Sequence, residues 1–115
     1  MSTIANLDTA AIDAAGQLVA IARARYPVVE AWLYGSHARG EAREGSDVDV
    51  AIIFDATRHE ARRMGNDLAE ESFDLLMTTG RFASPFTISL AEWSEPLRFS
   101  NPTLLRNIRR DGVRL

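Results

Sequence analysis

Hydrophobic residues recur at helical spacing near the start of the chain and alternate with polar residues farther along. Between Leu7 and Arg25 the apolar positions keep a helical period, and Pro27 follows, so a helix is predicted over 7–25. The segments Val28–Tyr34 and Val48–Phe54 are rich in β-branched and aromatic residues, and each predicts a strand. The segment between them is polar and punctuated by glycine, which predicts a loop.

The next segment has two interpretations. Near-helical spacing of its apolar residues favours one long helix over His59–Met77 that ends at Gly80, with a strand over Pro85–Leu90 after it. The alternative ends the helix near Glu70 and makes Ser72–Thr78 a strand. We favour the long helix, and the choice decides which residues reach the candidate site.

A last helix is predicted between Asn101 and Gly112. Asparagine is a common capping residue, Pro102 suits the first helical position, and glycine often follows the end of a helix. The chain of 115 residues has the length of one ordinary domain, so we expect residues 1–115 to form a single domain.

Composition and charge narrow the classes of function. The chain has no cysteine, which excludes disulfides and thiol nucleophiles, and all 13 of its basic residues are arginine, which excludes a Gly-Lys-Ser/Thr phosphate loop. A net charge of −3 argues against an extended nucleic-acid-binding surface. No apolar run approaches the roughly 20 residues that span a bilayer, and the start, MSTIANLDTA, lacks the basic region of a signal peptide. We therefore expect a soluble, cytoplasmic protein with no membrane contact.

Two carboxylates stand at the start of the second predicted strand. Strand alternation places Asp47 and Asp49 on one face, ~6.5 Å apart along the chain. At an effective dielectric constant of about 20 their repulsion is roughly 2.5 kcal/mol. A cation between them would relieve it, and a small number of hard oxygen ligands suits Mg²⁺ better than zinc.

A glycine-serine turn precedes the carboxylates by a short loop. Gly35 permits a positive φ and a close approach of the backbone to a ligand. A helix that begins at Ser36 would present N–H groups and a positive dipole end to an anion. A metal-binding carboxylate pair opposite an anion cradle is the arrangement that a nucleoside triphosphate with Mg²⁺ requires.

These two segments resemble a known signature. Gly35–Gly40 (GSHARG) followed by Gly45–Val50 (GSDVDV) is similar to the signature of the nucleotidyltransferase superfamily that includes DNA polymerase β. The similarity is greatest to its smallest members, the minimal nucleotidyltransferases, which are often partnered with a HEPN-domain protein. The resemblance implies an α/β fold, with a small mixed β-sheet backed by α-helices.

The resemblance also implies roles for particular residues. Asp47 and Asp49 would ligate Mg²⁺ and act in catalysis. Gly35 and Ser36 would hold the β- and γ-phosphates of the nucleotide. Arg39 falls on the arginine that follows the glycine-serine turn, and it would bind the nucleotide as well. His37 lies inside the same motif, and we expect it to be incidental.

Fully equipped members of the superfamily use a third carboxylate on the next strand to deprotonate the attacking hydroxyl. If Ser72–Thr78 is that strand, Asp74 is the candidate. If Pro85–Leu90 is the strand, it carries no carboxylate, and only Glu92 after its end remains. On the favoured interpretation the catalytic set is incomplete.

The resemblance implies transfer of a nucleoside monophosphate, by default AMP from ATP, to a hydroxyl group. In the minimal members the acceptor is a HEPN ribonuclease toxin, and the domain acts as its antitoxin. Two alternatives stay open: a catalytically weak binding module that neutralises a partner by contact, and an aminoglycoside-type small-molecule transferase, which at this length would need a homo-oligomer to form its acceptor pocket.

Overall fold

A computed structural model describes residues 8–115 of the chain. The helices and strands follow in the order α1 (Thr9–Arg25), β1 (Val28–Tyr34), α2 (Gly35–Ala38), β2 (Val48–Phe54), α3 (Arg58–Thr79), β3 (Ala83–Ser89), α4 (Leu90–Ser94), a 3₁₀ turn (Pro96–Arg98), α5 (Pro102–Asp111) and β4 (Val113–Arg114). The first predicted helix is confirmed from Thr9 onward, with Asp8 as its N-cap, while its predicted start at Leu7 lies outside the described residues.

The strands form one mixed sheet in the order β3-β2-β1-β4. Strand β1 pairs antiparallel with both β2 and β4, whereas β2 and β3 run parallel. The parallel pair requires a crossover connection, and α3 supplies it. The expected α/β architecture with a small mixed sheet backed by helices is confirmed.

Helix α3 settles the choice between the two interpretations of 59–80. It begins with a reciprocal capping box between Thr57 and Glu60 and ends at Gly80, which adopts the left-handed conformation with φ +76°. The long helix is confirmed, and the strand over Ser72–Thr78 is wrong. Alternating apolar residues in that stretch mimic a strand, but Leu75 continues the stripe of buried residues that α3 packs against the sheet.

Strand β3 begins two residues earlier than predicted and ends at Ser89. Leu90 belongs to α4 rather than to the strand, because Ser89 and Glu92 form a second capping box that starts a helix there. The final helix is confirmed: the Asn101 side chain accepts a hydrogen bond from the Leu104 N–H at 3.3 Å. Within residues 8–115 no helix combines the length and the apolar character that crossing a membrane requires.

Hydrophobic side chains cover both faces of the sheet. One core lies between the sheet and helices α1 and α3, and the residues of β2 in it are Val48, Val50, Ile52 and Phe54. The other lies under α4 and α5, and β2 contributes Ala51 and Ile53 to it. Strand β2 is therefore buried on both faces, and Asp49 is the one residue within it that keeps partial exposure.

The contact between α3 and β3 generates a stability prediction. A Cβ on Gly65 of α3 would come within 2.7 Å of the Thr87 hydroxyl on β3, whereas a Cβ on Gly16 of α1 would meet nothing within 4 Å. Gly16→Ala should stabilise the chain by about 0.5–1 kcal/mol through helix propensity alone. Gly65→Ala should instead destabilise it by ~1 kcal/mol or more through overpacking.

Urea unfolding of the two variants measures both effects. A Gly65→Ala/Thr87→Ala double variant should recover most of the lost stability, since it removes the obstructing hydroxyl and methyl groups. Equal stabilisation by Gly16→Ala and Gly65→Ala would contradict the tight packing of α3 on β3.

Candidate active site

The glycine-serine turn lies directly against the second carboxylate. In the antiparallel register of β1 and β2, Tyr34 is paired with Asp49, so the residue after Tyr34 turns over the Asp49 side chain. Gly35 has φ +75°, and a Cβ built on it would overlap the Asp49 carboxylate. Only glycine satisfies both constraints, because a side chain would be strained by the positive φ and would displace the carboxylate.

The two carboxylates of the motif follow each other on the same side of β2. Burial raises the pKa of Asp49, and the nearby charge of Asp47 raises it further, while His37 and Arg39 act in the opposite direction. A half-buried carboxylate beside a second one is a pair that a cation would stabilise. Two carboxylates with room for water and phosphate oxygens fit Mg²⁺. In the part of the chain that the structure describes, no third acidic, histidine or cysteine side chain joins them.

Asp74 does not reach this pair. It lies on α3 with its side chain exposed. Leu76 lines a cavity beside Asp47. Asp74 precedes Leu76 by two positions on the helix, so its side chain is rotated by about 200° from that of Leu76 and points away from this cavity. The prediction of Asp74 as third carboxylate required a strand at 72–78, and the helix removes its basis.

Ser84 occupies the position next to Asp49 on the neighbouring strand, in register with it. A serine hydroxyl is not a base near neutral pH, so the strand supplies no third carboxylate there. Glu92 follows Ser89 at the opposite end of β3, ~16 Å of strand away. One of its oxygens is engaged by Ser89 in the capping box. Within residues 8–115, neither Asp74 nor Glu92 therefore lies beside Asp49.

Helix α2 starts at Gly35 and places Ser36 in its first turn, where backbone N–H groups have no partner within the helix. Arg39 follows the helix as its C-cap, half exposed, and its Nε donates to Glu41 at 3.1 Å. Its positive charge is one of the influences that lower the pKa of Asp49, although burial and Asp47 raise it more. Free N–H groups and an arginine are groups that can bind an anion.

His37 makes a structural contact that the sequence did not predict. Its side chain is buried, and Nε2 lies 3.0 Å from the carbonyl oxygen of Ser46. This contact fixes the residue before Asp47 to α2 and so holds the loop that delivers the first carboxylate. The backbone of Arg43 also contacts Ser46: the Arg43 N–H donates to the Ser46 hydroxyl, and the Ser46 N–H donates to the Arg43 carbonyl oxygen. Sequence reasoning missed this role because the contact joins residues nine positions apart across an irregular loop.

A family profile described as nucleotidyltransferase domain matches residues 16–92, which is more than half of the chain. The chain belongs to this family, within the superfamily of DNA polymerase β-like nucleotidyltransferases. No curated protein matches the sequence. The matched segment contains α2, β2 and both carboxylates, and it ends before α5 begins.

The overlap between Gly35 and Asp49 generates a prediction with an internal control. Gly35→Ala and Gly45→Ala each place a side chain at positive φ, which costs about 1–2 kcal/mol. A Cβ on Gly45 would meet nothing within 4 Å, so only the Gly35 variant displaces Asp49. Both variants should lose stability, Gly35→Ala the more because of the overlap, whereas nucleotidyl transfer per folded molecule should fall ~100-fold only in Gly35→Ala. Equal activity of the two variants at matched folded fractions would contradict the close approach.

Proposed function

We propose that this chain, as one domain, is a Mg²⁺-dependent nucleotidyltransferase that transfers AMP from ATP to a hydroxyl group on a protein partner. The observation that carries the proposal is the turn at Gly35 seated on the carboxylate of Asp49, with Asp47 beside it. An anion cradle and a metal-binding pair then share one small volume. The family match supports the nucleotidyl transfer, and the geometry of these residues supports the assignment of their roles.

In the proposed reaction the acceptor hydroxyl oxygen attacks the α-phosphorus of ATP. The bond from that phosphorus to the bridging oxygen breaks, pyrophosphate leaves, and the hydroxyl proton passes to water. Asp47 and Asp49 would hold Mg²⁺, which neutralises charge on the phosphates. The N–H groups at Gly35 and Ser36, together with Arg39, would bind the leaving pyrophosphate.

An apolar patch beside the carboxylates supports a protein as the acceptor. Phe73, Leu76 and Met77 lie at i, i+3 and i+4 on α3, on the side that does not face the sheet. Met77 is 84% exposed and Phe73 62%, and a contiguous exposed apolar patch is typical of a protein-interaction site. Leu76 lines the same cavity as Asp47, so a protein that covers the patch meets the reacting centre.

The resemblance to minimal nucleotidyltransferases supports a HEPN-domain ribonuclease as this acceptor, in the cytoplasm, with a tyrosine as the modified residue. Modification would then neutralise the ribonuclease, and the chain would act as its antitoxin.

A second function is favoured by one observation. Ser84 stands where a carboxylate next to Asp49 would complete the catalytic set. A domain with this composition can bind Mg²⁺ and nucleotide and turn over slowly, so that it neutralises a partner by contact instead of by modification.

Label transfer separates the two functions. ATP labelled on the α-phosphate, with Mg²⁺ and an extract of the source cells, should label one protein, and ATP labelled on the γ-phosphate should not. Asp47→Asn and Asp49→Asn should each reduce the labelling roughly 10²–10³-fold, because metal stabilisation of the transition state is worth several kcal/mol. Asp55→Asn, at the other end of β2, is the matched control and should leave labelling unchanged.

Labelling from the γ-phosphate would overturn the reaction class. Binding of Mg²⁺–ATP without any labelling, together with full neutralisation of the partner by Asp47→Asn/Asp49→Asn, would establish the contact mechanism instead.

The patch on α3 gives a separate prediction. Phe73→Ser/Met77→Ser should raise the acceptor concentration needed for half-maximal labelling by roughly tenfold or more, since each truncated apolar anchor costs more than ~1 kcal/mol. Binding of ATP, measured by calorimetry, should not change. Leu97→Ser removes an equally exposed apolar side chain from the 3₁₀ turn and is the control. An identical effect of the control would show that the α3 patch is not the docking surface.

A further inference from the structure

A second cavity, of about 330 Å³, opens on the other side of the glycine-serine turn, between α2 and α5. Its walls come from the end of β1, from the turn and from one face of α5. The lining residues that matter here are Tyr34, Gly35, Arg39, Leu104 and Asn107. The cavity begins at Gly35, the glycine that lies against the Asp49 carboxylate. A molecule whose phosphates bind at this turn can therefore extend into the cavity.

The lining residues fall into two chemical groups. The turn contributes Gly35 and Arg39, which suit phosphate. The end of β1 and helix α5 contribute an aromatic ring, Tyr34, two aliphatic side chains, Leu104 and Ile108, the Asn107 amide and the charged pair Arg110–Asp111. Aromatic and aliphatic groups next to a few polar ones are typical of small-molecule sites, and a volume near 300 Å³ matches the lower end of their range.

The polar side chains of α5 differ in whether they already have a hydrogen-bond partner. Arg110 is held by Asp111 through two bonds of 3.0 Å, one from Nε and one from a terminal nitrogen. The Asn107 amide makes no hydrogen bond to any group within residues 8–115, and its side chain is partly buried at the cavity wall. The Asn107 amide is therefore free to donate to and accept from a ligand in the cavity.

We propose that the nucleobase of the triphosphate binds in this cavity, against Tyr34 and Leu104, and that the Asn107 amide recognises adenine. The proposal rests on the proposed nucleotidyl transfer and names the specificity residue of that site. Asn107 lies outside the segment that the family profile matches, so family membership assigns it no role.

The chemistry of the base edges selects adenine over guanine. Adenine presents an amino donor next to a ring-nitrogen acceptor, and an asparagine amide pairs with both. Guanine presents two acceptors on the corresponding edge and is recognised by a guanidinium fork. Arg110 is the nearby α5 residue that carries such a fork, and Asp111 occupies it.

Calorimetry with the full chain and Mg²⁺ tests the assignment, with ATP, GTP, CTP and inorganic pyrophosphate as probes. The parent chain should bind ATP about tenfold or more tighter than GTP, because a bidentate base contact is worth roughly 1–3 kcal/mol of discrimination. Asn107→Leu, similar in size, should abolish that preference and leave pyrophosphate binding unchanged. Asn107→Asp still accepts from the adenine amino group but no longer donates to the ring nitrogen, so ATP binding should weaken, and GTP, whose edge offers only acceptors, should gain nothing.

Asn66→Leu makes the same substitution at an exposed position of α3 and should behave as the parent chain does. Thermal unfolding of each variant shows whether a loss of binding reflects a loss of folded protein. An unchanged ATP-to-GTP ratio in folded Asn107→Leu would overturn the proposal. Equal weakening of ATP, GTP and pyrophosphate would also overturn it, since the cavity would then hold the phosphates. Failure of pyrophosphate and every nucleotide to bind the parent chain would instead contradict the proposed function itself.

Discussion

The close approach of the Gly35 backbone to the Asp49 carboxylate is the constraint on which the rest of the site depends. It exists because β1 and β2 pair with Tyr34 opposite Asp49, so that the chain leaves β1 directly above the carboxylate. A slip of one residue in this register would turn Asp49 toward the core under α1 and α3 and turn a valine toward the Gly35 turn. The buried residues of β2 on both faces oppose such a slip. The stability of the two cores therefore maintains the geometry of a polar site at the sheet edge.

The site brings two halves of opposite charge together at one turn. The Asp49 carboxylate lies against the backbone of Gly35, while the N–H groups of α2 and Arg39 belong to the turn and to the residues after it. His37 connects the two halves, because its buried ring contacts the carbonyl group just before Asp47. A cation and a polyphosphate would neutralise both halves together. Such a site has little reason to hold either ligand alone, which suits an enzyme whose substrate is a metal–nucleotide complex.

Two further surfaces adjoin this centre from different elements. The apolar patch on α3 borders Asp47, and the cavity under α5 borders Gly35. The proposed acceptor and the proposed nucleoside thus approach the same phosphate-binding turn from separate directions. Neither surface belongs to the motif itself, so they are the places where members of one family can differ in substrate while they keep the same chemistry.

The sequence by itself determined the centre of the site and most of the fold. Gly35, Ser36, Asp47 and Asp49 were recognisable because strand alternation and a tight turn impose local residue types at short spacing. The tertiary structure alone decided what lies across the sheet and between helices. The apolar spacing of residues 72–78 fits a strand as well as a helix. Burial of Leu75 against the sheet decides in favour of the helix. The register of β3 put Ser84, not a carboxylate, beside Asp49, and a register between distant segments leaves no local signal. The packing of α5 against α2 brought Asn107 to Tyr34 across more than 70 residues, a proximity that follows from burial of the α5 apolar face and from no motif in the chain.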